Sequence, residues 1–299
     1  MKKVLVTGGT GFVGTRLQKK RPDWIYISSQ DYDLTKSDSC RQMLLDIKPD
    51  SIVHLAGKVG GIKENSNKQG DFFYLNTMIN TNIVHESYRT GVERLLSSLS
   101  TCAFPDILKN YPFVEEDILK GAPASSNLSY GYTKRSLYIQ SLSYKKQYGV
   151  NYNCFCPSNI YGPNDNFDPD SSHFVPSLIQ KVFNASESEE IELWGTGKPL
   201  RQQLYVDDLV DIIPVLLEKH NTSSPLIVCG DENMSISEMA NVLLKKVNKN
   251  VKIRYNQKLD GQFRKDGSNK KLLKLISDYK FTSFEEGVLK TYEWYGNSR

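Results

Sequence analysis

The stretch Thr7-Gly8-Gly9-Thr10-Gly11-Phe12-Val13-Gly14 constrains this chain more than any other. It follows a short apolar run at 4–7 and opens an amphipathic run at 12–20. Gly8, Gly11 and Gly14 at this spacing permit a tight turn, close approach of the backbone to a pyrophosphate and close helix-on-strand packing. The helix N-terminus that follows then faces the anion. An ordinary flexible strand–helix turn explains the glycines alone, but not their place directly after the first strand of an alternating pattern. Gly8, Gly11, Phe12, Val13 and Gly14 are therefore expected to form a dinucleotide loop.

That pattern continues through the first half. Residues 24–28, 52–55, 94–99 and 152–156 read as strands, and 39–47, 72–89 and 130–148 as helices. Strands alternating with helices imply an α/β fold with a doubly wound parallel sheet of the Rossmann type, and ligands then lie beyond the carboxyl ends of the strands. The second half is less regular. Residues 157–200, rich in Pro, Gly, Asn and Asp, read as loops around one helix at 175–183. A helix over 205–219 opens with Asp207-Asp208, which suit the helix dipole. Ser235 and Glu238 make a capping box for a helix to 247, and a last helix is expected over 284–295. The expected division is a cofactor-binding Rossmann domain of 1–158 and 203–228, with a smaller, interleaved α/β substrate lobe of 159–202 and 229–299.

At 299 residues the chain suits one large domain or two that share a core. No stretch approaches the roughly 20 apolar residues of a membrane span, and the first apolar run is too short for a signal peptide. The 5 cysteines are odd in number and scattered, so buried free thiols are expected rather than disulfides. Cys154 and Cys156, two thiols without nearby partners, make a poor zinc site, and no metal is expected. The net charge of +4 comes without a dense Lys/Arg block, so no nucleic-acid partner is expected. The expected compartment is the reducing cytoplasm.

An NAD site usually ends its second strand with an acid that binds the ribose hydroxyls. Here the strand ends Ile27-Ser28-Ser29-Gln30. Ser28 and Ser29 tolerate a 2′-phosphate better than a carboxylate does, and Arg16, in the first turn of the following helix, could offset its charge. NADP(H) is the expected cofactor.

Tyr130 and Lys134 lie one helical turn apart on one face. An ammonium beside a phenol is expected to lower a pKa that starts near 10 and so to suit Tyr130 for proton exchange with a carbonyl or alcohol oxygen. The spacing alone is cheap, since Tyr32 and Lys36 share it. What adds weight is Ser100, directly after the fourth strand and so at the same sheet edge. A capped helix and a Ser-rich turn explain each piece separately, but not their joint placement. The three residues read as a hydride-transfer site.

The glycine loop, Ser100/Tyr130/Lys134 and the chain length resemble the extended short-chain dehydrogenase/reductase family. Residues 54–62 (HLAGKVGGI), 99–105 (LSTCAFP), 159–167 (NIYGPNDNF) and 194–201 (WGTGKPLR) further resemble its GDP-L-fucose synthase branch. The resemblance covers nearly the whole chain. It implies a GDP-linked keto-sugar as substrate, epimerised at C3 and C5 and then reduced at C4 by NADPH. Cys102 then matches the epimerisation base and His173 the acid. Lys181, Arg201 and Lys265 match basic positions near the GDP diphosphate or the sugar. Asn159, just after the fifth strand, is expected to contact the sugar, and Trp194 either packs on the guanine region or fills core. A homodimer through the helices at 72–89 and 130–148 is implied as well.

Three places depart from the branch: Gly57 for alanine, Asn164 for histidine, and the stretch Asp168-Pro169-Asp170. They leave the exact sugar open, and a reductase-only enzyme acting on a GDP-4-keto-6-deoxy-heptose is the alternative. An epimerase or dehydratase that recycles bound NAD, and a dinucleotide-sensing regulatory protein, are the readings from other classes.

Overall fold

Apolar positions on the short strands alternate between two directions, and this alternation divides the core. The structure, a computed structural model, describes residues 2–169, 171–257 and 260–298. Its first half runs β1 (Val4–Thr7), α1 (Phe12–Lys20), β2 (Ile25–Ile27), α2 (Ser37–Ile47), β3 (Ser51–His54), α3 (Ile62–Asn67), α4 (Gln69–Arg89), β4 (Arg94–Ser98), α5 (Leu128–Tyr148) and β5 (Asn151–Pro157). β1 and β3 are buried at every position, as strands covered on both faces must be. Leu5, Ile52 and Leu95 point to one face, where Met43, Ile83 and Leu137 cover them. Val6, Val53 and Leu96 point to the other, against Leu17, Leu209 and Ile213.

The second half adds β6 (Asn159–Tyr161), α6 (Phe174–Asn184), β7 (Glu190–Leu193), β8 (Leu200–Tyr205), α7 (Val206–Lys219) and β9 (Leu226–Val228). It ends with β10 (Asn233–Ser235), α8 (Ile236–Val247), β11 (Lys252–Tyr255), β12 (Arg264–Lys265), α9 (Lys270–Leu273) and α10 (Phe284–Asn297). The main sheet has six parallel strands in the order β2-β1-β3-β4-β5-β9. The order reverses at β1, which opens a crevice above the ends of β1 and β3. The expected α/β class and parallel sheet are what the chain adopts.

β8 is the hinge of the smaller layer: it pairs with β10, β12 and β6, while β7 pairs with β11. None of these short strands was anticipated between 157 and 200 or after 229. A third apolar cluster joins Leu178, Ile179 and Val182 of α6 to Met239, Leu243, Phe284 and Val288. Leu272, Leu275, Ile276, Tyr279 and Phe281 instead pack against the main sheet. The buried Asp208 carboxylate holds that segment through Tyr279 Oη (3.0 Å) and the Thr282 amide (2.9 Å). The capping box is present: Ser235 Oγ accepts from Glu238 N (3.1 Å), and the Glu238 carboxylate accepts from Ser235 N (2.7 Å). Among the described residues no helix is long and apolar enough to cross a membrane.

Candidate active site

The glycine loop shows why two of its positions admit no side chain. Gly8 has φ +73°, and a Cβ there would lie 2.9 Å from Ala56 N in the loop after β3. A Cβ on Gly14 would overlap the carbonyl oxygens of Gly8 and Gly9. Gly11 N-caps α1 without a side-chain cap, and no acid occupies the first turn. The first amides of α1 are thus left for an anion. Phe12 and Val13 anchor that turn by packing into the core below the sheet.

The loop after β2 carries a correction. Asp31 lies three residues beyond Ser28, and its carboxylate accepts from Ser28 N and Ser28 Oγ, both at 2.7 Å. The strand end therefore has a nearby acid, but Ser28 occupies it. Ser29 stays exposed. Arg16 is not a free counter-charge: its guanidinium grips Asp207 of α7 with Nε at 2.9 Å and Nη2 at 2.6 Å. That fork joins α1 to α7 across 191 residues of sequence.

At the end of β4, Ser100 opens a short 3-10 turn, Thr101–Ala103, and accepts from Cys102 N at 3.2 Å. Its hydroxyl also acts to lower the pKa of the Tyr130 phenol and of the Cys102 thiol. Tyr130 and Lys134 come from α5 and are both buried. The Lys134 ammonium lies 5.7 Å from the centre of the Tyr130 ring and donates to Ser98 O at 2.8 Å. Sequence reasoning expected the ammonium to lower the phenol's pKa, and here the structure differs. Burial pushes Tyr130 up, with Cys102 and Cys156 adding to the rise and Ser100 opposing it. Burial also pulls Lys134 down to about 8. Desolvation outweighs the ammonium, so the phenol keeps its proton.

Behind these residues runs a buried polar chain that the sequence reading missed. Thr7 Oγ1 meets His54 Nδ1 (2.8 Å), His54 Nε2 meets Asn80 Oδ1 (3.2 Å), and Asn80 Nδ2 donates to Thr133 O (3.4 Å). It ties the glycine-loop strand to the helix bearing Tyr130. Burial first and Lys134 second hold His54 neutral, down to about 3. One turn earlier on α4, Asn76 clamps both backbone groups of Lys58, accepting from its N (2.9 Å) and donating to its O (3.0 Å). Two asparagines one turn apart on a core-facing helix were the available signal. Gly57 leaves room here: a Cβ would be 3.0 Å from Asn76 Oδ1 and 3.8 Å from Lys134 Nζ.

Cys102, unlike the other four cysteines, is only partly buried. Lys265 Nζ donates to its Sγ at 3.1 Å. Burial raises the thiol's pKa, but Lys265, Ser100 and Arg201 together bring it below the ordinary value. Arg201 and Lys265 are register partners on β8 and β12. His173 N-caps α6 without a side-chain cap bond. It is exposed to solvent, yet the surrounding protein and then Lys265 hold its imidazole below the usual value. Its loop lies against that of Gly61, where a Cβ would be 3.3 Å from the carbonyls of Ser171 and Ser172.

The rest of that loop accounts for the departures. Asn164 adopts φ 72°, a left-handed conformation that asparagine tolerates. Asp168 Oδ1 accepts from Ser171 N and Oγ, both at 3.1 Å, whereas Asp170 lies outside the described residues. Asp165 is half-buried with one buried carboxylate oxygen unpartnered, and desolvation pushes it up to about 7.

Three further substrate residues are expected from the sequence. Lys181 donates to Glu192 O of β7 at 2.7 Å. Trp194 is 60% exposed, so it does not fill core. Asn159 Nδ2 reaches Gln202 O at 3.4 Å.

A phenol, a serine hydroxyl and a buried ammonium beyond the sheet, opposite a glycine-lined helix N-terminus, define a nicotinamide-nucleotide enzyme of the short-chain dehydrogenase/reductase class. The chain belongs to the NAD dependent epimerase/dehydratase family, whose profile matches residues 4–230. A probable GDP-L-fucose synthase of Drosophila melanogaster is 36% identical, covering 99% of this chain and 97% of that relative. The crystal structure of a GDP-L-fucose synthetase from Naegleria fowleri bound to NADP superposes with a TM-score of 0.90 at 32% identity, covering 99% of this chain and 93% of that one. A GDP-6-OMe-4-keto-L-xylo-heptose reductase from C. jejuni also gives 0.90, at 23% identity, covering 100% and 98%. At that identity the likeness is one of fold.

Proposed function

We propose that this chain is an NADPH-dependent C4-ketoreductase of a GDP-4-keto-6-deoxy sugar that first epimerises C3 and C5. The observation that carries the proposal is Ser100, which accepts from Cys102 N at 3.2 Å and whose hydroxyl acts to lower the pKa of both the Tyr130 phenol and the Cys102 thiol. One sugar carbonyl oxygen beside Ser100 is then within reach of both chemistries. The relatives named GDP-L-fucose synthase support the full reaction over a heptose-directed reductase.

The glycine loop and the open end of α1 suit the pyrophosphate, and Ser28 with Ser29 the ribose end. Bound NADPH supplies the hydride. Tyr130, kept protonated by burial, donates its proton to the C4 oxygen as the ketone becomes an alcohol, and Ser100 hydrogen-bonds the same oxygen. Lys134 holds the floor of the site through Ser98 O. For epimerisation, Cys102 takes the proton from a carbon beside the ketone, the oxygen carries the enolate charge, and His173 returns a proton on the opposite face. Arg201 supplies positive charge toward the sugar diphosphate.

The division into a cofactor domain (1–158, 203–228) and a substrate lobe (159–202, 229–299) remains our working assignment, with 272–281 packed on the former. We also propose a cytoplasmic homodimer through α4 and α5, whose Phe73, Tyr74, Tyr132 and Ile139 are exposed.

The test is incubation with GDP-4-keto-6-deoxy-mannose and NADPH in heavy water, followed by product NMR. NADPH oxidation with deuterium at C3 and C5 is expected. Oxidation without deuterium would leave a pure reductase, and no oxidation would remove the proposal.

A further inference from the structure

We propose that Lys265 is the positioning residue of the epimerisation base: carried by the second layer on β12, its ammonium pairs with Cys102 Sγ at 3.1 Å and holds that sulfur as a thiolate. The sequence reading gave Lys265 to the sugar or the diphosphate. Its side chain is instead buried, and the structure turns it onto a sulfur 163 residues away. The inference rests on the epimerisation reading above for what the thiolate does, but not for its existence.

The groups around the sulfur favour this role. Lys265 comes from β12, Arg201 from β8 and the Ser100 hydroxyl from the same turn as Cys102. The Tyr130 phenol from α5 and Cys156 from β5 also face it, and neither is ionised at neutral pH, because burial raises both. Two cations and one hydroxyl donor thus meet one sulfur, with no carboxylate among the groups acting on it. A thiolate beside an ammonium is the stable partition of that proton. The thiol proton leaves to solvent, from which Cys102 is only partly shielded while Cys40, Cys154, Cys156 and Cys229 are buried. The sulfur then accepts the C–H proton and releases it by the same route.

Lys265 also acts on His173, adding to burial in lowering the imidazole's pKa. One ammonium therefore biases both groups toward the deprotonated form. A base completed by the second layer ties its reactivity to the packing of β12 on β8.

The experiment is the pH profile of Cys102 alkylation by iodoacetamide, read by peptide mass spectrometry on the intact folded chain from about pH 5 to about pH 10. The wild-type rate should reach half its plateau well below the free-thiol value of about 8.5. Lys265→Met should move the midpoint up by about one pH unit or more, slowing alkylation near pH 7 about tenfold, and Lys265→Arg should restore the profile. A folded Lys265→Met protein with the wild-type profile overturns the proposal. So does a wild-type midpoint at or above about 8.5, which needs no variant to fold. An increase in KM for the sugar in Lys265→Met, with unchanged kcat for deuterium wash-in, also overturns it and returns Lys265 to the diphosphate. If the profile shifts as expected but the wild-type enzyme shows no wash-in, the ion pair stands and the epimerase reading falls.

Discussion

Tyr130 and Cys102 share Ser100 but are tuned in opposite directions. The phenol is buried and faces the Cys102 sulfur, and both effects keep its proton on. The thiol faces Lys265, Arg201 and the Ser100 hydroxyl, which together outweigh its burial. An acid for the reduction and a base for the epimerisation therefore coexist at one oxygen site. Tyr130→Phe should slow NADPH oxidation at least about 10²-fold, the loss expected for a general acid, while leaving NADPH affinity nearly unchanged. Burial and then Lys265 lower the His173 pKa, so it takes up the proton it donates less readily than a free imidazole. Deuterium wash-in should accordingly rise as the pH falls below about 7, then decline once Cys102 is protonated. A wash-in rate that climbs steadily with pH would contradict the assignment of His173 as the acid.

Elements bring these residues together, and their legibility differed. The alternation of short apolar runs with amphipathic ones made β1 to β5 and their helices readable, because strands buried on both faces need unbroken apolar sequence. Ser100 and Tyr130 followed from being placed at strand and helix ends on one sheet edge. The smaller layer was hidden: β10 and β12 are three and two residues long and mostly polar, too short to show a period. The Lys265–Cys102 and Arg16–Asp207 contacts span 163 and 191 residues, and no local pattern encodes such pairs. The pairing of Arg16 with Asp207 was illegible for that reason. The glycine loop, a local feature, invites a direct test. Gly8→Ala forces a side chain into a left-handed backbone and against Ala56 N, and should weaken NADPH binding measured calorimetrically about tenfold or more.

At the scale of the molecule, the Thr7–His54–Asn80 chain links the cofactor strand to the catalytic helix through a buried neutral histidine. His54 titrates at about 3 in the fold, against about 6.5 when unfolded. A group with a depressed folded value lends stability that is present above 6.5 and is lost as the pH falls from 6.5 toward 3. Asp165, pushed up to about 7, acts in the opposite direction, so the share of His54 is best read as a difference. The fall in Tm from about pH 6.5 to about pH 4 should be shallower in His54→Gln than in the wild type. Equal slopes would show that His54 is protonated without cost. The exposed face of α4 and α5 makes its own prediction: Phe73→Asp with Ile139→Asp should convert a dimer to a monomer in light scattering, because paired carboxylates do not pack in an apolar interface.

The most direct measurement is the stoichiometry of NADPH oxidation against GDP-4-keto-6-deoxy-mannose consumed, in wild type and Tyr130→Phe side by side. The expected result is one NADPH per sugar in the wild type and at least about 10²-fold slower turnover in the variant. Sugar consumed without NADPH oxidation, or equal rates in the two proteins, would contradict the assignment of Tyr130 as the proton donor of a ketone reduction.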